Sequence, residues 1–240
     1  MISLFIPIYN GEKILETNII RIYNFLKKNK YKFEIIIVDD NSKDNTLKIV
    51  KKLSKKHKEI KYLHYENGPS RRENLAKSFL NAKEDIIAFM DADLSVDLEY
   101  FNELINKTKE NDIVIGSRYS GIKAERSMKR LLISMIYNNF MKLLFNSKIR
   151  DHQCGFKVFK KEVIINLLDK LGYDKTFDRG WFWDVELLVR AQNNNYKITE
   201  IAVKWKGDKE STFNIKRELR ILKYILRNRK KIKTGEKTNE

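Results

Sequence analysis

Residues 86–93 read Ile-Ile-Ala-Phe-Met-Asp-Ala-Asp, so five apolar residues run directly into two carboxylates one residue apart. A short apolar run bounded by acids is typical of a buried strand in a parallel sheet. On an extended segment, residues two apart point to the same side, so Asp91 and Asp93 face one way and Ala92 the other. The pair can therefore hold one hard divalent cation. The alternative is a merely polar strand end or helix N-cap.

Similar strand patterns occur on both sides of this segment, separated by stretches in which apolar residues recur three and four apart. The predicted strands are Ser3–Ile8, Phe33–Val38, Lys61–Tyr65, Ile86–Met90 and Ile113–Ile115, and the helices between them are Glu12–Lys30, Ser42–His57, Ser70–Ala82 and Val96–Lys109. This alternation predicts an α/β fold with a doubly wound, mostly parallel central sheet and helices on both faces. Ligands of such sheets bind at the carboxyl ends of the strands.

The second half of the chain is less regular and ends in a basic helix. Helices are predicted over residues 126–145, from residue 161 onward and over 181–194, with a strand over 197–205. The final helix, 215–233, has an apolar stripe formed by Ile215, Leu219, Leu222 and Leu226. Because the chain contains no repeat and no Pro/Gly-rich linker, we predict one domain over residues 1–212 and a basic amphipathic tail over 213–240.

The formal net charge of the chain is +17, and the excess is concentrated in two segments. Residues 116–150 contain eight basic residues and one acid, and residues 214–240 contain ten basic residues and three acids. Two concentrated patches favour docking to an anionic membrane surface or a phosphorylated ligand, and we expect no nucleic acid as a partner. One cysteine and three histidines argue against disulfides and structural zinc, which indicates a reducing compartment.

Five motifs follow one another along residues 2–210. They are Pro7-Ile8-Tyr9-Asn10, residues 37–46 (Ile-Val-Asp-Asp-Asn-Ser-Lys-Asp-Asn-Thr), Asp91-Ala92-Asp93, residues 149–159 (Ile-Arg-Asp-His-Gln-Cys-Gly-Phe-Lys-Val-Phe) and residues 183–188 (Trp-Asp-Val-Glu-Leu-Leu). In this order they resemble the inverting family-2 glycosyltransferases of GT-A fold. The last two motifs are similar to the polyprenyl-phosphate branch, especially dolichyl-phosphate glucosyltransferases, with dolichol-phosphate mannosyltransferases next.

This resemblance implies metal-dependent, inverting transfer of one sugar from a nucleotide sugar to a polyprenyl (dolichyl-type) phosphate, for glycan assembly. UDP-glucose is the first predicted donor, because residues 153–159 are closer to the glucosyl enzymes; GDP-mannose and UDP-GlcNAc follow. The implied donor-binding residues are Pro7, Tyr9, Asn10, Glu12, Asp39, Asp40 and Asp91. Asp91 and Asp93 are the implied ligands of Mg²⁺ or Mn²⁺. The next residues are Leu94 and Ser95, and the identity of a third protein ligand stays open.

The same resemblance implies a function for the basic segment 116–150. The acceptor phosphate is predicted to bind Arg118, Arg126, Arg130, Ser134 and Gln153, since arginines and hydroxyls suit an anionic phosphate. Residues 126–150 are expected at the membrane interface, with an ordinary buried helix as the alternative. The basic tail can rest on anionic headgroups or pack its apolar stripe on the domain. Attachment to the cytoplasmic face of a membrane is expected to be peripheral. Arg71 and Arg72 can meet the diphosphate or lie at the surface. A membrane-protein partner or a homo-oligomer stays open.

Asp184 distinguishes two enzymatic hypotheses, and with Asp93 it is a predicted catalytic residue. A lipid phosphate is already anionic at neutral pH, with a second pKa of about 6, so it needs no general base and Asp184 then orients the acceptor or the sugar. If the acceptor is a hydroxyl of a glycan or lipid-linked oligosaccharide, Asp184 is the general base. A hypothesis of another class is a non-catalytic basic module that binds a membrane or nucleic acid.

Overall fold

The computed structural model describes residues 1–69, 71–119, 128–173, 177–206 and 215–238. Strands and helices alternate along these residues. In chain order they are β1 (Ile2–Ile8), α1 (Leu15–Lys28), β2 (Phe33–Asp39), α2 (Thr46–Lys56), β3 (Ile60–His64), α3 (Arg72–Phe79), β4 (Ile86–Met90), α4 (Tyr100–Lys107), β5 (Ile113–Ser117), α5 (Met128–Phe145), β6 (Phe156–Lys160), α6 (Lys161–Leu171), α7 (Phe182–Asn193), β7 (Ile198–Ala202) and α8 (Ile215–Thr234).

The seven strands found in the described residues form one sheet in the order β3-β2-β1-β4-β6-β5-β7. Strand β6 runs antiparallel to β4 and β5, and the other neighbouring pairs are parallel. The predicted mostly parallel, doubly wound sheet is confirmed. Because β2, β1 and β4 are adjacent and parallel, the polar residues that follow these three strands lie at one edge of the sheet.

Helices cover both faces of the sheet, as the sequence predicts. Successive residues of β1 point to opposite faces, so Leu4 and Ile6 belong to one core cluster and Phe5 to the other. The first cluster includes residues of α1, α2 and α4, and those of α1 are Leu15, Ile19, Ile22 and Leu26. The second includes residues of α3, α6 and α7. The sheet is therefore buried on both sides, and ligands have access to its ends.

A third apolar cluster joins α8 to α5 and α7. The α8 residues in it are Ile221, Ile225 and Ile232. Three residues of the predicted stripe, Leu219, Leu222 and Leu226, are exposed instead, and the side chain of Ile215 lies outside the described part of the chain. Helix α8 therefore has two apolar stripes on neighbouring sides, with buried isoleucines toward the domain and exposed leucines toward solvent.

Helix α5 shows a similar division between a buried and an exposed side. Met141 and Phe145 pack into the third cluster. The outward side carries large apolar residues, namely Leu132, Met135, Ile136, Phe140 and Leu143. Among the helices of the described residues, none is long and apolar enough to cross a membrane. Helix α5 thus has one core face and one apolar face that is open to solvent.

Candidate active site

A cleft of about 430 Å³ opens at the carboxyl ends of β1, β2 and β4. It is lined by Pro7, Ile8, Tyr9, Val38, Asp40, Pro69, Arg71, Arg72, Leu75, Asp91, Asp178, Gly180 and Trp181. Four of the seven residues predicted to bind a donor therefore lie together here: Pro7, Tyr9, Asp40 and Asp91. The cleft combines apolar and aromatic walls with a few converging charged groups, which is the usual composition of a small-molecule site.

Asn10 and Glu12 connect the loop after β1 to the loop after β2. The backbone N–H of Asn10 donates to Ser42 Oγ at 2.9 Å, and Asn10 Oδ1 accepts from the backbone N–H of Lys43 at 2.7 Å. The Glu12 carboxylate accepts two hydrogen bonds from Asn45, each of 2.9 Å. These bonds fix the loop that carries Tyr9. The role of Asn10 and Glu12 in donor binding stays a prediction.

The adjacent acids Asp39 and Asp40 have different surroundings. Asp39 is buried beside His64, with 2.6 Å between its Oδ2 and the Nδ1 of the histidine. Asp40 faces the cleft and accepts hydrogen bonds from the backbone N–H of Arg71 and from Asn74 Nδ2. Burial raises the pKa of Asp40 above its ordinary value. Of the two carboxylates, Asp40 is thus the one available to a ligand in the cleft.

The Asp91-Ala92-Asp93 segment forms the turn after β4. The backbone N–H of Asp91 donates to Gly155 O at 3.0 Å, and the chain reverses at Leu94, whose φ is 55°. Asp93 accepts hydrogen bonds from the backbone N–H and the hydroxyl of Ser95. Desolvation raises the pKa of Asp91, with further contributions from Asp93 and Asp184, while Arg72 opposes the shift. The carboxylates of Asp91 and Asp93 therefore lie near each other, and a cation bound between them would reduce their repulsion.

Gly155 makes room for the Asp91 carboxylate. A Cβ atom at this glycine would lie 1.8 Å from Asp91 Oδ2, which is too close for two atoms that are not bonded to each other. The oxygen ligands Asp91 and Asp93 fit Mg²⁺ or Mn²⁺ by their chemistry. Within the described residues, no group of three or more His, Cys, Asp or Glu is arranged to hold a metal ion. A cation held by this pair would therefore take its other ligands from water and the bound phosphates.

Asp184 lies behind the cleft, fully buried in the first turn of α7. Its Oδ1 accepts a hydrogen bond of 2.8 Å from Lys157 Nζ, and its Oδ2 lies 3.3 Å from Arg72 Nε. Arg72 extends further, to 3.7 Å between its Nη2 and Asp91 Oδ1. Lys157, Asp184, Arg72 and Asp91 thus form a row of alternating charges that ends in the cleft.

Sequence reasoning missed part of this arrangement. It did not identify Lys157 or Trp181, and it left Arg72 between a role in phosphate binding and a surface position. The structure places Arg72 at the first residue of α3, in the wall of the cleft. The available signal was Gly68-Pro69 shortly before two arginines, a turn at the end of β3.

Three of the residues predicted to bind the acceptor phosphate lie near one another. Arg118 forms a two-pronged ion pair with Asp151, whose Oδ1 also accepts the backbone N–H of Gln153 at 3.2 Å. The hydroxyl of Tyr119, the neighbour of Arg118, donates to Ser134 Oγ at 2.7 Å. Arg126 and the side chain of Arg130 lie outside the described part of the chain. Phosphate binding by all five residues stays a prediction.

The profile of Glycosyl transferase family 2 matches residues 3–168. Glycosyltransferase AglD of Haloferax volcanii is 34% identical over 86% of this chain and 34% of its own length. Dolichyl-phosphate beta-glucosyltransferase ALG5A of Trichomonas vaginalis is 31% identical over 85% of this chain and 65% of its own length. The dolichyl-phosphate beta-glucosyltransferase of Dictyostelium discoideum is 30% identical over 85% of this chain and 66% of its own length. The chain spans less than two thirds of each of these relatives.

Solved structures support the fold. A glucosyl-3-phosphoglycerate synthase of Mycobacterium tuberculosis in complex with UDP has a TM-score of 0.68 and 15% identity, and the match covers 95% of this chain and 79% of that one. The same synthase with Mn²⁺, UDP and phosphoglyceric acid has a TM-score of 0.67 at 15% identity, and the match covers 98% of this chain and 79% of that one. At this level of identity the comparison concerns the fold alone.

Proposed function

Because this chain belongs to glycosyl transferase family 2 and has the GT-A fold of its structural neighbours, we propose that it transfers one sugar from a nucleotide sugar to a polyprenyl phosphate, with inversion at the anomeric carbon. The observation that carries the proposal is the cleft at the ends of β1, β2 and β4, which brings Tyr9, Asp40 and Asp91 together. Glucose is the sugar we propose first, since two of the relatives are dolichyl-phosphate beta-glucosyltransferases.

The donor occupies this cleft with its base and ribose between Pro7, Tyr9 and Asp40, and its diphosphate toward Asp91. Asp91 and Asp93 would hold a divalent cation, which would supply positive charge next to the departing nucleotide diphosphate. UDP-glucose is the proposed donor, with GDP-mannose and UDP-GlcNAc as the competitors; one synthase of the same fold was crystallised with UDP and with UDP-glucose.

The state of Asp184 favours a phosphate acceptor over a hydroxyl. Its side chain is fully buried, and Lys157 and Arg72 each neutralise one side of the carboxylate. A general base must come within hydrogen-bond reach of the acceptor proton, whereas a lipid phosphate is already a nucleophile at neutral pH. The phosphate oxygen then attacks the anomeric carbon directly, the bond to the nucleotide diphosphate breaks, and a β-linked product forms from an α-linked donor.

We further propose peripheral attachment to the anionic cytoplasmic face of a membrane, through α8. Its outward leucines, Leu219, Leu222 and Leu226, lie among exposed basic residues that include Arg220, Lys223, Arg227 and Lys230. Apolar side chains flanked by cations suit the boundary between headgroups and acyl chains, and each nearby Lys or Arg contributes on the order of 1 kcal/mol on an anionic surface. Attachment here would hold the enzyme where a lipid-borne acceptor is located.

Co-sedimentation with vesicles tests the attachment. Replacement of the three outward leucines by Gln should reduce binding to vesicles of anionic phospholipid, because the apolar contact is lost and the charge is retained. Leu80→Gln, which changes an exposed leucine at the end of α3, is the matched control and should bind as the wild type does. Equal binding by the triple variant would rule out this face.

Nucleotide titrations test the donor site. With MnCl₂ present, UDP should bind the wild-type protein more tightly than GDP does, and Asp93→Asn should weaken the metal-dependent part of the affinity. Asp169→Asn, an exposed acid on α6, is the control for the loss of one negative charge. Binding that neither depends on metal nor changes in Asp93→Asn would contradict the proposed donor site.

A further inference from the structure

Arg72 occupies an unusual position for a charged side chain. It lies over two aromatic rings, with its guanidinium carbon 5.5 Å from the ring centre of Phe89 and 5.9 Å from that of Trp181. The side chain is only 13% exposed, and the exposed part faces the cleft. These two ring contacts, together with the ion pair to Asp184, limit the positions that the guanidinium can take.

Asp184 restrains the inner edge of this guanidinium. Arg72 Nε lies 3.3 Å from Asp184 Oδ2, and the other oxygen of the carboxylate is bound by Lys157 Nζ. Lys157 is held in turn by the carbonyl oxygen of Cys154 at 2.7 Å. Asp184 and Lys157 are both inaccessible to solvent. This carboxylate is therefore fixed from both sides and is directed at Arg72.

The outer edge of Arg72 is less firmly bound. Its Nη2 lies 3.7 Å from Asp91 Oδ1, which is beyond hydrogen-bond distance. Two cations and two anions form this row, so it is close to neutral before a ligand binds. A nucleoside diphosphate that arrives at Asp91 brings additional negative charge, and the guanidinium of Arg72 lies within ion-pair distance of Asp91.

We infer that Arg72 binds the diphosphate of the donor, and that Asp184 is a positioning residue which holds Arg72 in place for this task. The inference rests on the proposed function and assigns separate roles to the two residues. Arg72 contacts the leaving group and stabilises its charge, whereas Asp184 contacts no substrate and affects the reaction through Arg72. The motif that contains Asp184 thus serves the donor side of the site.

A double-mutant cycle on nucleotide affinity tests this inference. Dissociation constants of UDP and GDP are measured with MnCl₂ for the wild type, Arg72→Ala, Asp184→Asn and the double variant. We expect Arg72→Ala to weaken the binding of the preferred nucleotide by roughly 10- to 100-fold, the usual effect of losing a hydrogen bond to a charged group. Asp184→Asn should weaken it as well, and the double variant should match Arg72→Ala, since Asp184 acts only through Arg72. Arg150→Ala removes an exposed arginine and should have no effect.

Other results contradict specific parts of the inference. A general-base role predicts unchanged nucleotide affinity in Asp184→Asn together with a large fall in kcat, and that result would overturn the positioning role. Unchanged affinity in Arg72→Ala would overturn the inference while leaving the proposed function in place. If Asp184→Asn fails to fold by circular dichroism, Arg72→Ala and Arg72→Lys decide the question, because a binding role predicts weaker affinity in a folded protein. Wild-type protein that binds neither nucleotide would overturn the proposed function and the inference together.

Discussion

Asp151 receives three hydrogen bonds from Arg118, two of 2.7 Å from the guanidinium and one of 2.9 Å from the backbone N–H. Both side chains are almost completely buried. Despite the desolvation of its surroundings, the Asp151 carboxyl has a pKa below its ordinary value, because Arg118 stabilises the charged form. The pair connects the end of β5 to the segment before β6, and so it fixes the position of two segments that contain predicted acceptor-phosphate residues.

Removing the charge of Asp151 should destabilise the protein strongly. Asp151→Asn leaves a buried arginine without its counter-charge, which typically costs about 3 to 5 kcal/mol of unfolding free energy. The matched control is Asp112→Asn, whose partner Lys160 is partly exposed, and its cost should be about 1 kcal/mol or less. Urea unfolding of both variants makes the comparison. Equal losses would show that Arg118 finds compensation elsewhere.

Gly155→Ala should damage the donor site and leave the fold intact. The new methyl group would displace the Asp91 carboxylate, so metal-dependent nucleotide affinity should fall about 10-fold or more, as for the loss of a charged contact. Gly116→Ala is the comparison, since its Cβ would come no closer than 3.0 Å to Cys154 Sγ. Nucleotide titration and thermal unfolding are measured together. A Gly155→Ala protein with wild-type affinity would contradict the placement of Asp91.

The two stripes of α8 should respond differently to the same change. Ile225 is 1% exposed and Leu226 is 60% exposed, although they are neighbours in the chain. Ile225→Ala should lower the unfolding free energy by about 2 to 5 kcal/mol through loss of packing, and Leu226→Ala should change it by about 0.5 kcal/mol or less. Denaturant titration distinguishes them. A larger effect of Leu226→Ala would mean that the helix packs through its leucines.

His152 should make the protein less stable below neutral pH. Desolvation is the main cause that lowers its pKa from 6.5 to about 4, and the ring lies between Ser147 Oγ and Asn138 Oδ1. Between these two values the unfolded chain binds the proton and the folded protein does not, so unfolding free energy falls as pH falls from 6.5 to 4. For this single group the loss is about 3 kcal/mol. His152→Gln should remove it.

The difference between wild type and His152→Gln isolates this contribution, since all carboxylates titrate equally in both proteins. Urea unfolding at pH 7 and at pH 4 provides the four values that are needed. A wild-type protein whose stability changes with pH no more than that of the variant would show that the histidine is protonated in the folded state.

Local pattern was sufficient for the strands that build the site. β4 matches its prediction at both ends, and β1 and β2 differ by one residue, because each is an apolar run that stops at polar residues. The carboxyl ends of such strands lie at one edge of a parallel sheet, so the sequence is sufficient to predict that Asp40 and Asp91 lie in one cleft.

Contacts between distant residues were not predictable in this way. The partner of Lys157 is Asp184, 27 positions away, and nothing in either segment specifies the other. The packing side of α8 was equally unpredictable, since isoleucines and leucines form two competing stripes and the apolar surfaces of α5 and α7 decide which one is buried. The ion pair of Arg118 was not predictable either. Its sequence context suggests a phosphate ligand, whereas its pairing with Asp151 is seen only in the structure.

Transfer of labelled sugar into lipid tests the central claim most directly. Protein and MnCl₂ are incubated with polyprenyl phosphate and radiolabelled UDP-glucose, with UDP-GlcNAc and GDP-mannose in parallel, and the organic phase is counted. We predict label in the lipid from UDP-glucose that depends on the metal and is lost in Asp93→Asn. An organic phase without label from any donor, in a protein that still binds a nucleotide, would contradict the lipid-phosphate acceptor and favour a hydroxyl acceptor instead.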